Sequence, residues 1–131
     1  METIDIRTSS RTELVDITAK VQKAVSDSGI RDGVCFVYTP HTTGAVTINE
    51  NADPSVRKDI TMEIDKVIPF EDGYSHSEGN AAAHIKSSLF GCSATLLVEK
   101  GDLVLGTWQG IFFCEFDGPR NRRAHVKVLP G

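Results

Sequence analysis

A chain of 131 residues, 40% hydrophobic and 24% charged, has the composition of an ordinary globular protein and the length of one domain. Its net charge of -4 gives no general attraction to nucleic acid or to an anionic membrane surface, and both partners are disfavoured. No apolar run approaches the roughly 20 residues needed to cross a bilayer, and the acidic start lacks a signal-peptide core, so a soluble cytoplasmic protein is expected.

Residues 3–7 alternate apolar and polar around Ile4 and Ile6 and predict a half-buried strand. Leu14 and Val15 predict a second strand. Asp16 or Thr18 then caps a helix running to about Ser28, with Ile17, Val21, Ala24 and Val25 on one face and Gly29 ending it. Apolar runs at 34–38 and 45–49 read as strands. Asp53-Pro54 is a strong helix start, Asp as N-cap and Pro at the first helical position. Val56, Ile60, Ile64, Val67 and Ile68 make the stripe of that helix, and Pro69 stops it. A polar loop follows at 71–79. Asn80 then opens a third helix to about Phe90, with Ala82, Ile85 and Leu89 as its apolar side.

After Gly91 come short strands at 95–98, 103–105, 111–116 and 124–128, separated by Gly-containing turns, which suggests an antiparallel meander. The sum is a single α+β domain over 1–131, two-layered, with helices on one face of a mainly antiparallel or mixed sheet. The three cysteines have no short spacing, which argues against a disulfide framework or a CxxC metal knot. Cys35 and Cys114 lie in apolar runs and read as buried free thiols.

His41, His76 and His84 are set among small polar residues. A lone loop histidine is usually a surface residue. Three that converge, with a water, make an open tetrahedral metal site. The loop and first helical turn can bring His76 and His84 together, whereas His41 must arrive from a separate strand end. His125 shares a strand face with Lys127 and reads as solvent-exposed. Glu78 can act as base on a metal-bound water or be a solvated loop acid. The stretch 49–53 concentrates side-chain oxygens suited to magnesium or a polar substrate, or to plain turn and cap chemistry. Trp108, in a Gly-flanked turn with Gln109, packs a subunit contact or stacks on a flat ring. Glu115 interrupts an apolar run, so it faces a sheet edge, pairs with an arginine or lines a site. Arg120, Arg122 and Arg123 clamp a phosphate or form a solvated turn.

Three motifs, P-H-T-T-G-A-V-T-I-N-E-N-A-D-P (40–54), D-G-Y-S-H-S-E-G-N-A-A-A-H-I-K (72–86) and L-G-T-W-Q-G-I-F-F-C-E-F-D-G-P-R (105–120), closely resemble the YjbQ-like family, also described as secondary thiamine-phosphate synthase. The resemblance implies a two-layer α/β fold and a homotrimer. It implies a divalent metal, zinc on His41, His76 and His84, with magnesium accompanying a pyrophosphate substrate. It maps the family's polar motif residues onto Glu50, Asn51, Asp53, Glu78, Asn80, Trp108, Gln109, Glu115 and Arg120. The expected reaction joins a hydroxymethylpyrimidine pyrophosphate to a thiazole phosphate. Glu78, Glu50 and Arg120 are then the expected catalytic groups. Asn51, Asp53, Asn80, Trp108, Gln109, Arg122 and Arg123 are the expected contacts to a small phosphorylated molecule. A metal-dependent hydrolase and a non-catalytic metal or anion module are the alternatives.

Overall fold

The computed structural model describes residues 1–131. The strands are β1 (Glu2–Arg7), β2 (Glu13–Asp16), β3 (Gly33–Tyr38), β4 (Gly44–Glu50), β5 (Ser93–Glu99), β6 (Asp102–Leu103), β7 (Gln109–Glu115) and β8 (Asn121–Pro130). The helices are α1 (Thr18–Ser28), α2 (Pro54–Val67) and α3 (Ala81–Phe90). The fold is α+β and every strand pairing is antiparallel. The strands form two sheets rather than one meander, ordered β1-β8-β3-β5-β6 and β2-β7-β4. β8 is inserted between β1 and β3, and β7 between β2 and β4, so each late strand pairs with early ones.

The burial of β7 explains this layering. All of Gly110–Glu115 is buried, so both faces of the strand are covered. Ile111 and Phe113 face the five-stranded sheet and join Ile4, Ile6, Cys35, Val37, Leu96 and Val126 in the main core, which α1 closes with Ile17, Val21, Ala24 and Val25. Phe112 and Cys114 point the other way and pack with Leu14, Ala45 and Ala83 beneath α2 and α3. A strand buried on both faces reads as continuous apolar sequence rather than an alternation.

The helices start and stop as their sequence dictates. Asp53 accepts the Ser55 N–H at 2.9 Å and caps α2, with Pro54 at the first turn. Gly29 ends α1 in the left-handed region at φ 72°. The buried face of α3 differs in part from the expected one: Ala82 is buried as expected, but it is joined by Ala83, Lys86 and Ser87, whereas Ile85 and Leu89 are exposed. Small side chains bring this helix close enough to β4 for the Ser87 hydroxyl to donate to the Gly44 carbonyl at 2.6 Å. Lys86 reaches out of its buried position to pair with Asp65 on α2. No helix is long and apolar enough to cross a membrane.

Candidate functional site

One polar cleft gathers much of the expected site. It encloses about 430 Å³ and, Pro40 apart, is lined by polar and charged residues. The segment after β3 contributes His41, Thr42 and Thr43. The loop before α3 contributes His76, Glu78 and Asn80, and α3 itself His84. The β7–β8 turn and the start of β8 contribute Asp117, Arg120 and Arg122.

The cleft is anchored on a buried charge pair. Glu115, at the end of β7, is fully buried. It accepts from Arg122 Nε at 2.9 Å, from Arg122 Nη2, from the Thr8 hydroxyl at 2.7 Å and from the Asp117 N–H at 3.0 Å. Burial pushes the Glu115 carboxyl upward, but the bonds from Arg122, Asp117 and Thr8 together hold it below its ordinary value. Arg122 Nη2 also donates to the Thr43 hydroxyl at 2.8 Å. Its Nη1 has no acceptor in the protein and is not sealed in the interior, so this end of the guanidinium is presented to the cleft. Of the three ways to accommodate Glu115 in an apolar run, the arginine pair is the one realised.

His41 is fixed by backbone. Its Nε2 accepts the Arg123 N–H at 3.1 Å, which places the ring proton on Nδ1. Burial, and then the charges of Arg122 and Arg123, lower its pKa and favour the neutral ring. His76 and His84 meet edge to face with ring centroids 5.2 Å apart, as their spacing suggested. Asp117 holds the turn: its Oδ2 accepts from Asn80 Nδ2 at 2.9 Å and from Arg120 Nη2 at 3.1 Å. Asn80 donates to Asp117 through Nδ2 while its Oδ1 is buried without a partner, so it makes no side-chain cap to α3, and the Ala81 and Ala82 N–H groups at that helix start have no partner.

The remaining expected residues lie elsewhere. Gly44 pairs with Glu115 at the cleft end of the β4–β7 ladder, and Glu50 pairs with Gln109 at the other end. Those ends are about 20 Å apart at the rise of an antiparallel strand. At the far end Asn51 Nδ2 donates to Asp16, Asp53 caps α2, and Gln109 Oε1 braces the Gly106 N–H. Trp108 is 61% exposed at the tip of that turn. Within one chain, Glu50, Asn51, Asp53, Trp108 and Gln109 therefore do not join the histidines. The Arg123 side chain is exposed on the opposite face of β8 from Arg122, and only its backbone serves the cleft. His125 stacks on Tyr38 and bonds Thr3, remote from the cleft. Sequence reasoning missed Thr8 and Asp117. The signal for Asp117 was present in its neighbours, since an Asp-Gly-Pro turn ahead of an arginine pair is where a carboxylate orients guanidinium groups.

An α+β protein carrying a polar histidine–arginine cleft is the class these observations define. The chain belongs to the family described as UPF0047 protein YjbQ-like, whose model matches residues 2–131. It is 54% identical over 124 residues to a UPF0047 protein of Methanocaldococcus jannaschii, covering 95% of this chain and 90% of that one. It is 50% identical over 130 residues to the UPF0047 protein YugU of Bacillus subtilis, covering 98% of each. A crystal structure from Clostridium acetobutylicum, described as an uncharacterized conserved protein of the YjbQ/UPF0047 family, superposes with a TM-score of 0.97 at 51% identity and covers 98% of this chain and 100% of that one. A Sulfolobus solfataricus protein "of unknown function" superposes at 0.95 with 35% identity, covering 99% and 96%.

Two expectations are corrected. These relatives are described as uncharacterized, of unknown function or by family name alone, and none as a thiamine-phosphate synthase, so the transferase assignment is withdrawn. The metal-enzyme assignments, including the metal-dependent hydrolase, fall with the donor geometry. No group of three or more His, Cys, Asp or Glu side chains could hold a metal ion. The physical reason is at His41, whose lone pair is occupied by the Arg123 N–H, leaving His76 and His84 without a third imidazole.

Proposed function

We propose that the cleft binds a small phosphorylated molecule and that His76, His84 and Glu78 exchange protons with it. The observation that carries this reading is Arg122, a buried guanidinium locked by Glu115 and Thr43 with one end free toward the cleft. A preorganised guanidinium loses little freedom on binding and suits a phosphate better than a mobile surface lysine. The His41 Nδ1–H is a further donor at the same site.

The test is titration of the protein with inorganic phosphate, with and without chelator, followed by imidazole NMR. The signals of His41, His76 and His84 are expected to move together while His125 stays fixed. A cleft whose histidines ignore phosphate, or move no more than His125, refutes the proposal.

We also propose the homotrimer. What supports it is an apolar outer face on the five-stranded sheet, where Phe36, Tyr38, Leu97 and Leu129 are all exposed on adjacent strands with no helix over them.

A further inference from the structure

The cleft continues past its histidines. Beyond His41 and His84 lies a second hollow of about 470 Å³, which also meets Thr42, Ser88, Gly91 and Cys92. His41, Thr42 and His84 line both hollows, so the two form one groove with the imidazoles as its waist. Its halves differ in chemistry. The first holds Glu78, Asp117, Arg120 and Arg122, whereas the second has no Asp, Glu, Lys or Arg in its lining.

The polar atoms of the second half are largely committed. The Gly91 carbonyl accepts from Val46 N at 3.1 Å and the Cys92 carbonyl from Thr39 N at 2.9 Å. The Ser87 and Ser88 hydroxyls donate to the Gly44 and His84 carbonyls. An ionised group there would find no counter-charge, whereas an uncharged body meets carbon, a thiol and a few hydroxyl lone pairs.

We infer that the ligand is a phosphate monoester: its phosphate sits in the Arg122 half and its uncharged organic part crosses the waist to lie over Ser88, Gly91 and Cys92. This rests on the phosphate reading of the cleft and adds where the rest of the molecule goes. A doubly phosphorylated compound with charges at both ends is disfavoured, because only one half carries arginine.

Cys92 reports directly on the second half. It is exposed, while Cys35 and Cys114 are buried, and burial pushes the Cys35 thiol up to about 11 and the Cys114 thiol up as well. Iodoacetamide labelling of the full chain, read by mass spectrometry, therefore isolates Cys92. Phenyl phosphate at ten times its Kd fills about nine-tenths of the sites and should slow Cys92 labelling about tenfold. Inorganic phosphate at equal occupancy should shift the cleft histidines and leave labelling unchanged. Ser88→Trp, on an exposed position of α3, should lower the ratio of ester to phosphate affinity about tenfold. Phenyl phosphate that moves the histidines but leaves Cys92 fully reactive, or binds Ser88→Trp as well as the parent, overturns this inference and leaves the phosphate reading standing. Failure of both compounds to move the histidines overturns both.

Discussion

Removing the Glu115 carboxylate tests whether the cleft is built on a buried charge pair. In Glu115→Ala, Arg122 keeps its charge at 3% side-chain exposure and loses its partner, while the Asp117 N–H loses its only acceptor. Thr8 is cushioned, since its hydroxyl also donates to the Arg120 carbonyl. Breaking a buried pair from one side costs about 3–5 kcal/mol. For a chain of this length, with unfolding entropy near 2.1 cal/mol/K per residue, that lowers Tm by roughly 11–18 °C. Replacing both partners is a different perturbation. Glu115→Leu with Arg122→Met leaves no uncompensated charge; the Asp117 N–H and the Thr43 hydroxyl and carbonyl lose bonds, while the Thr8 hydroxyl loses Glu115 but keeps the Arg120 carbonyl. The double variant should recover at least about 2 kcal/mol of the single-variant loss. Urea unfolding of the parent, both single variants and the double variant measures the coupling, and phosphate titration follows binding in parallel. The double variant should fold and fail to bind. A single-variant cost below about 1 kcal/mol, or a double variant no more stable than Glu115→Ala, would refute the reasoning.

Acid unfolding should expose the same pair. The folded-state pKa of Glu115 is depressed, so its stabilisation is present above the unfolded carboxyl range and lost as pH falls through the folded value. His41 acts in the same sense, since its lowered pKa makes stability fall as pH drops below about 6.5; chemical denaturation across pH 3–8 should show a decline starting near neutrality, and a flat profile would contradict it. At Gly110 a Cβ would press into the Asn51 side chain, its Cβ included at 2.7 Å, so Gly110→Ala should cost about 1–3 kcal/mol by urea unfolding, with relief in the Asn51→Gly background. Leu97→Glu on the open sheet face should convert the proposed trimer to monomers in light scattering without lowering the affinity of the cleft for phosphate; an unchanged mass would remove that face as the interface.

Much of this architecture was legible because local chemistry decides it. Asp53-Pro54 announced the start of α2, and the spacing of Val21, Ala24 and Val25 ahead of Gly29 gave α1 its buried side. The two-sheet arrangement was not legible, because pairings such as Ile4 with Ala124 join residues remote in the chain and no local pattern encodes them. The buried side of α3 was misread because apolarity was taken as the guide. At a close helix–sheet approach, small size decides, and Ala83 and Ser87 go in while Leu89 stays out. The meeting of His76 and His84 followed from eight residues of loop and helix. The division of the expected site did not, although the signal was there: a strand spanning 45–49 necessarily carries His41 and Glu50 to opposite ends.

Glu115 terminates the strand whose preceding residues form both cores, so the charge that positions the cleft is also a stone in the arch of the fold. Substitutions at Glu115 or Arg122 would be culled for poor accumulation before ligand choice was ever tried. Thr42, His76, Ser88 and Arg120 touch the groove without supporting either core, so substitutions there change contacts to a ligand without removing core packing. A library confined to those four positions would explore new ligands on an intact scaffold, whereas one that includes the buried pair would mostly sample unfolded chains.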